Sequence, residues 1–478
     1  MTELYRGLDP TVAAVLAEWA EIHGRHYELD RWLVNGRSKQ PVAVVRETEL
    51  RTDATTVLVM KVLSARDSAP PNLEYARHRT AEVQAPDFAA RHLSEFVHDA
   101  VPVPGQQWIT FQRVAGKALE NTEVLTVLLR RMLGLTEAVE PLSARPVTCS
   151  PEMFAEACGA IVSGVLGGWA NRPFLPAGEK WDLATFFRRH LSDQLAPGGR
   201  LAGWADRHQG ESLELEGEPR PLPNPFAVAA GKLFDAAVVS PVIGRCHGDL
   251  HTDNALIRVR PSVDVDEFYL IDTALYESKG PLTRDPAHLV LYIVASVMEA
   301  VSTPSEQSAL IELLIDPVAG PAHLVPGWLA ALIRRVDVAA SDWVEDSGLG
   351  SVWREQACLS LAACALLFLG RTSTREIDKP WFLRLAARAV ARFAEGRGLD
   401  FSAAGSADRG TVPEISGPAP AVRASRVTEP ARSGVETVGS GGHTASPSAT
   451  PGSKFMVNAE DVRGLQVGDG NRQENNFH

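Results

Sequence analysis

The sequence predicts an α+β protein with two lobes, a small β-rich amino-terminal lobe over residues 1–118 and a mainly helical carboxy-terminal lobe over residues 119–400. Short runs rich in β-branched residues, separated by turn-type residues, fill much of the first part, whereas apolar residues at helical spacing dominate the second. Residues 402–454 contain no Leu, Phe, Trp or Tyr and cannot bury enough apolar surface to offset the entropy of ordering them. We therefore predict a disordered linker over residues 401–453.

The amino-terminal lobe is predicted to begin with one amphipathic helix over residues 10–25, where apolar side chains recur at helical spacing. Three β-type runs follow, and the polar segments between them predict antiparallel strands in hairpins: YELDRWLVN, PVAVVRETEL and TTVLVMKVLS. The pattern then predicts a helix over NLEYARHRTAEVQ and a further strand over QQWITFQRV.

Four segments with helical periodicity open the carboxy-terminal lobe: TEVLTVLLRRMLGL, EMFAEACGAIVSGVL, WDLATFFRRHLSDQL and FAVAAGKLFDAAV. Two β-type runs then interrupt the helices, RCHGDLHTDNALIRV and EFYLIDTALY, around a polar hairpin tip expected at Asp264, Asp266 and Glu267. Helices dominate again to about Glu395. The apolar runs LVLYIVASVMEAV and LSLAACALLFLG fall short of the roughly 20 residues of a membrane helix, so we expect buried helices and no membrane contact.

The composition favours a cytoplasmic globular protein. The chain has 478 residues, of which 45% are hydrophobic, enough for a sizeable core. Its formal charge of -12 disfavours nucleic acid and anionic membranes as partners, because both attract basic proteins. The five cysteines form no CxxC pair, so neither a disulfide framework nor a zinc cluster is indicated. The start, MTELYRGLDP, lacks the apolar region of a signal peptide.

The strongest chemical signal is HGDLHTDN, which spans His247 to Asn254 and is followed by Asp272 in LIDTALY. Three interpretations of this segment are open. It is a polar loop between buried strands, or a phosphoryl-transfer loop, or a metal site built from alternate residues on one strand face: His247, Asp249, His251 and Asp253.

Phosphoryl transfer needs residues at this spacing. One Asp accepts the proton of the attacking hydroxyl, an Asn five residues on binds Mg²⁺, and a second Asp beyond a hairpin binds metal against the ATP phosphates. Asp249, Asn254 and Asp272 stand in that order.

At these residues the chain resembles the aminoglycoside phosphotransferase and choline kinase family, relatives of the protein kinases. The family pattern HGDxHxxN, then an Asp after a strand, then a Gly-Pro stretch leading to a structural Asp, is similar to HGDLHTDN, LIDTALY and GPLTRDPAHL. The resemblance implies a two-lobed protein-kinase-like fold with ATP and Mg²⁺ as cofactors. It also implies residue roles: Asp249 as catalytic base, His247 as the residue that shapes the catalytic loop, Asn254 and Asp272 as Mg²⁺ ligands, and Asp285 as the buried support of that loop.

A kinase-like amino-terminal lobe should also supply a nucleotide clamp. Lys61 is a lone cation inside the apolar strand VLVMKVLS, where the phosphate-binding Lys belongs. On the next helix Glu74 is the expected partner of Lys61, with Glu82 as the second choice. Backbone groups from Gln112 to Val114 are expected to bind adenine.

Two features depart from the family pattern. The turn NGRSKQP has one glycine where a glycine-rich turn would cover the phosphates, and Thr273 follows Asp272 where relatives place a bulky residue. An altered or slow active site therefore stays open as an interpretation.

The last 25 residues, 454–478, form a second type of signal. Apolar and polar residues alternate on both sides of a turn at residues 468–470, a pattern that can stack in register as a cross-β arch. The stretch resembles bacterial amyloid signalling motifs and the RIP homotypic interaction motif. The matching residues are Leu465, Gln466, Val467, Gly468, Asn471, Gln473 and Asn475. The resemblance implies recruitment by a receptor-type protein with a matching motif; a frayed polar tail is the alternative.

Together the motifs favour an ATP- and Mg²⁺-dependent phosphotransferase that acts on a hydroxyl or amine of a small molecule or protein and is recruited through a self-assembling tail in bacterial signalling or conflict. One alternative is a non-catalytic pseudokinase adaptor that signals by tail assembly. Another is a stand-alone antibiotic or metabolite kinase. The expected partners are the phosphate acceptor, a receptor with a matching motif and other copies of the tail.

Overall fold

The fold is that of a computed structural model, which describes residues 3–33, 41–64, 73–135, 142, 147–170, 178–345 and 347–401. The predicted linker beyond Phe401, the predicted interaction motif at 454–478 and most of the turn NGRSKQP lie outside the described residues. The expectations about those segments stay predictions.

The amino-terminal part is a five-stranded antiparallel sheet in the order β1-β2-β3-β5-β4. Its strands are β1 (Arg25–Trp32), β2 (Val42–Glu49), β3 (Ala54–Ser64), β4 (Val101–Val103) and β5 (Gln107–Arg113). Its helices are α1 (Glu3–Gly7), α2 (Pro10–Ile22), α3 (Leu73–Gln84) and α4 (Pro86–His92). The hairpins predicted from the sequence are confirmed, since β2 pairs with both β1 and β3.

Strand β3 lies in the middle of this sheet and carries Lys61. Leu58, Met60 and Val62 are buried on one face of the strand, as the two-residue period of a strand requires. Lys61 lies opposite Val42 on β2 and Thr110 on β5, and its side chain leaves on the other face. The pleat therefore directs the one cation of this apolar strand away from the sheet's core.

The carboxy-terminal part is mainly helical. Its helices are α5 (Leu125–Met132), α6 (Pro151–Gly164), α7 (Leu183–Leu191), α8 (Ala202–Arg207), α9 (Pro225–Ala229), α10 (Arg284–Val297), α11 (Pro304–Ile315), α12 (Gly327–Glu345), α13 (Gly350–Gly370) and α14 (Lys379–Arg397). A π-helical turn, Val165–Trp169, continues α6. Start signals are in place: Ser150 accepts a hydrogen bond from Met153 N at 3.2 Å, and Thr303 and Glu306 form a capping box.

Short strands are embedded among these helices. They are β6 (Thr122–Val124), β7 (Trp181–Asp182), β8 (Ser212–Leu213), β9 (Leu222–Pro223), β10 (Val238–Val239), β11 (Ile243–Cys246), β12 (Ala255–Arg258), β13 (Asp264–Leu270) and β14 (Glu277–Pro281). One small sheet has the order β13-β12-β6, and β11 pairs with β14. The loops that follow β11 and β13 carry the motif residues.

Two separate hydrophobic clusters form the cores of these parts. The smaller runs from Leu4 to Phe111 and lies between the sheet and α2, and the larger joins residues from Ala81 to Phe393. Phe88 on α4 belongs to the larger cluster, stacked 4.9 Å from Trp169. This mixed architecture, a small antiparallel sheet followed by many helices, is consistent with a two-lobed kinase-like fold.

Two local predictions are wrong. The helical pattern FAVAAGKLFDAAV forms a helix only over Pro225–Ala229, because Gly231 and Phe234 then adopt positive φ values of 67° and 57°. The acidic residues placed at a hairpin tip, such as Asp266, lie in strand β13 instead.

Helix α13 is longer than its apolar run suggested. Among the described residues it is the one helix long and apolar enough to cross a membrane, by length and composition. However, 67% of its apolar window is buried inside the protein, and the helix packs against α10 and α14. Its burial is that of a core helix.

Candidate active site

The loop between β11 and β12 carries HGDLHTDN, and the Asp285 side chain holds the backbone of this loop in place. That carboxylate, 1% exposed, accepts hydrogen bonds from His247 N at 2.7 Å and Gly248 N at 2.9 Å. Burial raises the pKa of the Asp285 carboxyl, against the lowering effect of His247 and these backbone donors. Gly248 has φ 80°, and a Cβ there would lie 2.0 Å from the Leu275 carbonyl oxygen, so the close approach requires glycine.

His247 connects this loop to the segment between strand β13 and Asp272. Its Nε2 donates to the Ile271 carbonyl at 3.0 Å, and its Nδ1 accepts from Asp249 N at 3.3 Å. Both ring nitrogens of this fully buried side chain are therefore used in positioning the loop. His247 shapes the site without being available as a proton carrier.

Asp249 is partly accessible, with 30% of its side chain exposed. Three basic side chains surround its carboxylate: His251 Nε2 at 3.6 Å, His288 Nε2 at 3.6 Å and Arg371 Nη2 at 3.7 Å. Burial alone would raise the pKa of the Asp249 carboxyl, but His251 first, and Arg371 as well, hold that pKa well below its usual range. The group is a carboxylate at neutral pH.

A backbone hydrogen bond joins Asn254 to the residue that precedes Asp272. Asn254 Nδ2 donates to the Asp249 carbonyl at 3.0 Å, and Asn254 O accepts from Ile271 N at 3.0 Å. Because the amide nitrogen of Asn254 donates this hydrogen bond, the amide oxygen is the side-chain atom that could bind a cation. Asp272 has φ 58° and begins the turn Thr273–Leu275.

Asp272 lies among the charged groups of both parts of the protein. Burial and the Glu74 carboxylate raise the pKa of the Asp272 carboxyl, while Lys61 opposes that shift. Asp249 acts in the same direction as Glu74. Acids this close together favour a bound cation, and carboxylate and amide oxygens are the ligands that Mg²⁺ prefers. The side-chain oxygens of Asn254 and Asp272 thus fit a magnesium ion. Phosphate and water oxygens would supply its remaining ligands.

Lys61 and Glu74 form an ion pair, with 2.8 Å between Lys61 Nζ and Glu74 Oε1 and only 15% and 10% of the side chains exposed. Burial alone would lower the pKa of the Lys61 ammonium, but Glu74 and then Asp272 raise it above its usual value. Glu82, the second choice, lies elsewhere and pairs with His78 at 3.4 Å and Arg79 at 2.7 Å.

Two residues of α3 contact the turn that follows Asp272. Arg77 Nη1 donates to the Ala274 carbonyl at 2.9 Å, and His78 Nδ1 lies 3.2 Å from Thr273 Oγ1. Thr273 is 1% exposed, so the small residue that departs from the family pattern is packed against the helix that carries Glu74.

Val114 follows β5, in the segment expected to bind adenine. The residue is buried, and its carbonyl accepts a hydrogen bond from Lys117 N at 3.3 Å. This bond occupies one of the two lone pairs of the Val114 carbonyl oxygen, and the expected contact with adenine stays a prediction.

The alternative metal site of four alternating residues does not form within the described residues, where no group of three His, Cys, Asp or Glu side chains could hold a metal. His247 has both ring nitrogens in hydrogen bonds, as described above. His251 Nδ1 accepts from Asp253 N at 3.2 Å. The Asp253 carboxylate accepts hydrogen bonds from the Thr126 and Tyr292 hydroxyls.

The sequence analysis did not predict His288 and Arg371 as residues of the site. His288 had a signal, because Asp285, His288 and Tyr292 lie three and four residues apart on α10 and so share one helix face. All three contact the motif loop, at His247 N, Leu250 O and Asp253 respectively. Arg371 had no signal, since it follows α13 more than a hundred residues from the loop.

A cavity of about 660 Å³ lies at a different place, among α4, α6, α12 and β13. Arg91, Gly164, Phe268 and Arg335 are among its lining residues, and none of the motif residues is. The Gly164 position is explained by packing, because a Cβ there would lie 2.5 Å from the Phe268 ring. The reactive groups therefore cluster at the motif loop and not at this cavity.

Comparison with known proteins gives weak structural likeness only. No family model matches the chain, and no curated protein matches it. A structure of glucosamine kinase in complex with glucosamine, ADP and inorganic phosphate is 12% identical, with 80% of this chain and 85% of that chain covered and a TM-score of 0.36. Glucosamine kinase in crystal form B is also 12% identical, with coverage of 79% and 100% and a TM-score of 0.33. At these scores the likeness assigns no function.

Proposed function

We propose that this protein is an ATP- and Mg²⁺-dependent phosphotransferase. One observation carries the proposal: four segments distant in sequence bring the Lys61–Glu74 ion pair together with Asp249, Asn254 and Asp272. A kinase-type site needs this combination, with a cation for the nucleotide phosphates, oxygen donors for the metal and a carboxylate at the attacking group.

In this proposal Asp249 accepts the proton of the acceptor's hydroxyl or amine. Its orientation is supported from both sides of the loop, by Asn254 at its carbonyl and by His247 at its N–H. Asn254 and Asp272 would hold Mg²⁺, which when bound neutralises charge on the nucleotide phosphates. Lys61, held by Glu74, would bind the phosphates nearer the nucleoside.

The acceptor in this proposal is a small molecule or a protein that carries a hydroxyl or amine. We also propose that the segment 454–478 recruits the enzyme to a receptor-type protein with a matching motif, or to other copies of the same tail. The alternation around Gly468 supports this part, on physical grounds of in-register stacking.

ATP turnover tests the proposed chemistry. Purified full-length protein with Mg²⁺ should bind ATP and release ADP, and Asp249→Asn and Asp272→Asn should each lower turnover by about 100-fold or more. Asp266→Asn is the matched control, an exposed acid on strand β13 that should leave turnover unchanged. Turnover at the wild-type rate in both site variants would falsify the proposal.

A separate experiment tests the tail. A synthetic peptide of residues 454–478 should form thioflavin-positive fibrils, and Gln466→Asp or Gly468→Asp should block them, because each places a charge in the stacked segment. A wild-type peptide that stays monomeric at high concentration rules out assembly through this motif.

The second candidate is a non-catalytic adaptor whose kinase-like body binds a ligand while the tail signals by assembly. The observation that favours it is the position of His251 Nε2 and Arg371 Nη2, 3.6 Å and 3.7 Å from the Asp249 carboxylate, because such neighbours favour the ionised form over one that has accepted a proton. Nucleotide binding without phosphate transfer to any acceptor in a broad screen, with tail assembly intact, would select the adaptor over the enzyme.

A further inference from the structure

Arg371 lies beside Asp249 although it comes from the far end of helix α13. Its side chain is 17% exposed. Its guanidinium lies 4.2 Å from the centre of the Phe368 ring and 5.9 Å from that of Tyr292. Its Nη2 is 2.7 Å from His288 Nε2 and 3.7 Å from Asp249 Oδ1. Packing on two rings and the hydrogen bond with His288 fix the guanidinium in advance of any ligand.

One hydrogen-bond partner of Arg371, the His288 side chain, is a neutral imidazole. His288 Nδ1 donates to the Leu250 carbonyl at 3.0 Å, so its Nε2 carries the lone pair that accepts from Arg371. A neutral acceptor orients the guanidinium without neutralising its charge. The separation of 3.7 Å from Asp249 Oδ1 is longer than a hydrogen bond, so this carboxylate attracts Arg371 without holding it directly.

We propose that Arg371 is a catalytic residue that contacts the transferred phosphoryl group and stabilises its charge. The inference rests on the proposed phosphotransfer. In that reaction the acceptor oxygen or nitrogen forms a bond to the γ-phosphorus, and its proton passes to Asp249. The bond from the γ-phosphorus to the β,γ-bridging oxygen breaks, and its electron pair leaves with ADP.

Position favours this role for Arg371. In the proposed reaction the acceptor atom lies between the Asp249 carboxylate and the phosphorus, so a guanidinium 3.7 Å from that carboxylate borders the space in which the phosphoryl group is transferred. Lys61 is bound to Glu74 near Asp272 and serves the other end of the phosphate chain. An arginine that reaches a transferring phosphoryl group supplies two parallel N–H donors and a permanent charge.

A competing role is that Arg371 only holds Asp249 in position. The two roles differ in a measurable way, because aluminium fluoride bound with ADP and Mg²⁺ imitates the transferring phosphoryl group and needs no acceptor. A residue that contacts this group changes the affinity gained on adding aluminium fluoride. A residue that acts only by positioning Asp249 changes this gain no more than replacement of Asp249 does.

The test measures the affinity of the full-length protein for ADP and Mg²⁺, with and without aluminium fluoride, by calorimetry. For the wild type we expect aluminium fluoride to tighten binding by at least about tenfold, as a transition-state mimic does. Arg371→Gln should lose that gain while its affinity for ADP and Mg²⁺ stays within about twofold of wild type, since the ground-state complex does not use Arg371. Arg354→Gln is the matched control, an exposed arginine of the same helix.

Asp249→Asn separates the two roles. This variant should keep the gain in affinity from aluminium fluoride. It removes a carboxylate beside an anionic mimic and leaves the contact from Arg371 in place. A gain lost equally in Asp249→Asn and Arg371→Gln overturns the proposal, as does a gain retained in Arg371→Gln. If Arg371→Gln does not fold, Arg371→Lys decides, with the gain reduced if Arg371 contacts the phosphoryl group and unchanged if it does not.

Two outcomes for the wild type complete the test. Binding of ADP and Mg²⁺ without any gain from aluminium fluoride overturns the role of Arg371 and leaves the proposed function standing. Failure of the wild type to bind ADP with Mg²⁺ contradicts the proposed function itself, and the role of Arg371 falls with it.

Discussion

The ion pair of Lys61 and Glu74 is the residue-scale feature that most constrains the proposed nucleotide site. A charged side chain inside an apolar strand is costly unless it is paired. Glu74 provides the pairing from a different element, at 2.8 Å, and the Asp272 carboxylate also raises the pKa of the ammonium. In the proposed nucleotide site this pair would hold a cation in place for the phosphates before the nucleotide binds.

Replacing Glu74 tests this orientation. Glu74→Gln should weaken binding of ADP with Mg²⁺ by about tenfold, because Lys61 loses the charge partner that holds its ammonium in place. Calorimetry measures the change. Glu82→Gln is the matched control on the same helix, and it should bind as wild type because Glu82 pairs with Arg79 and His78. Equal loss in both variants would contradict the assignment of Glu74.

Several site residues were predictable because each stands out from its immediate neighbours. Lys61 interrupts an apolar strand, and Asp249, Asn254 and Asp272 keep a spacing that phosphoryl transfer requires. Arg371 was not predictable, because only the packing of α13 against α10 brings it to the loop. Its position depends on tertiary structure and leaves no trace in local sequence.

At the scale of elements, helix α3 links the Lys61–Glu74 ion pair to the turn that follows Asp272. It carries Glu74 on one turn and Arg77 and His78 on the next, and the latter two contact residues 273–275. A displacement of α3 would therefore move both Glu74, the partner of Lys61, and the turn after Asp272. The helix is therefore placed to couple the two halves of the site.

Breaking one of these contacts should reduce turnover more than stability. Arg77→Gln removes the hydrogen bond to the Ala274 carbonyl, and we expect ATP turnover to fall by about tenfold while the melting temperature drops by only a few degrees. Arg79→Gln, an exposed neighbour paired with Glu82, is the control and should retain full turnover. A loss in Arg77→Gln that tracks unfolding alone would argue against the coupling.

A second element-scale feature is the buried Glu47 carboxylate, which connects strands β1 and β2 to the segment before β4. Glu47 on β2 accepts hydrogen bonds from His98 Nε2 at 2.6 Å and from the Tyr27 hydroxyl on β1, and it pairs with Arg25 at 2.6 Å. Burial alone would raise the pKa of the Glu47 carboxyl, but these hydrogen bonds lower it below its usual value. The ionised form therefore stabilises the folded sheet.

The stabilisation from Glu47 should depend on pH with a defined sign. A lowered pKa means that the contribution is complete above the usual value of about 4.3 and is lost as the pH falls through the lowered value. Glu47→Gln should cost about 2 to 3 kcal/mol of unfolding free energy at pH 7, with the difference from wild type shrinking below about pH 4. Denaturant unfolding at several pH values measures it. Glu28→Gln on β1 is the exposed control, and a deficit that does not change with pH would contradict the assignment.

At the scale of the whole molecule, two hydrophobic clusters define a sheet-based part and a helical part, and the site residues come from both. The sequence predicted these two parts because strand and helix periodicities are local properties. The three-residue strand β6 and its pairing with β12 were not predictable, since so short a run carries no period. Helix α4 packs in the larger cluster although it precedes β5, which only tertiary contacts determine.

The location of bound nucleotide tests the central claim most directly. A crystal structure of the full-length protein with Mg²⁺ and a non-hydrolysable ATP analogue should place the phosphates between Lys61 and Asp272, with metal at Asn254 and Asp272 and the terminal phosphate facing Asp249. Nucleotide bound at another place, such as the cavity beside Arg91, or no bound nucleotide at saturating concentration, would contradict the account.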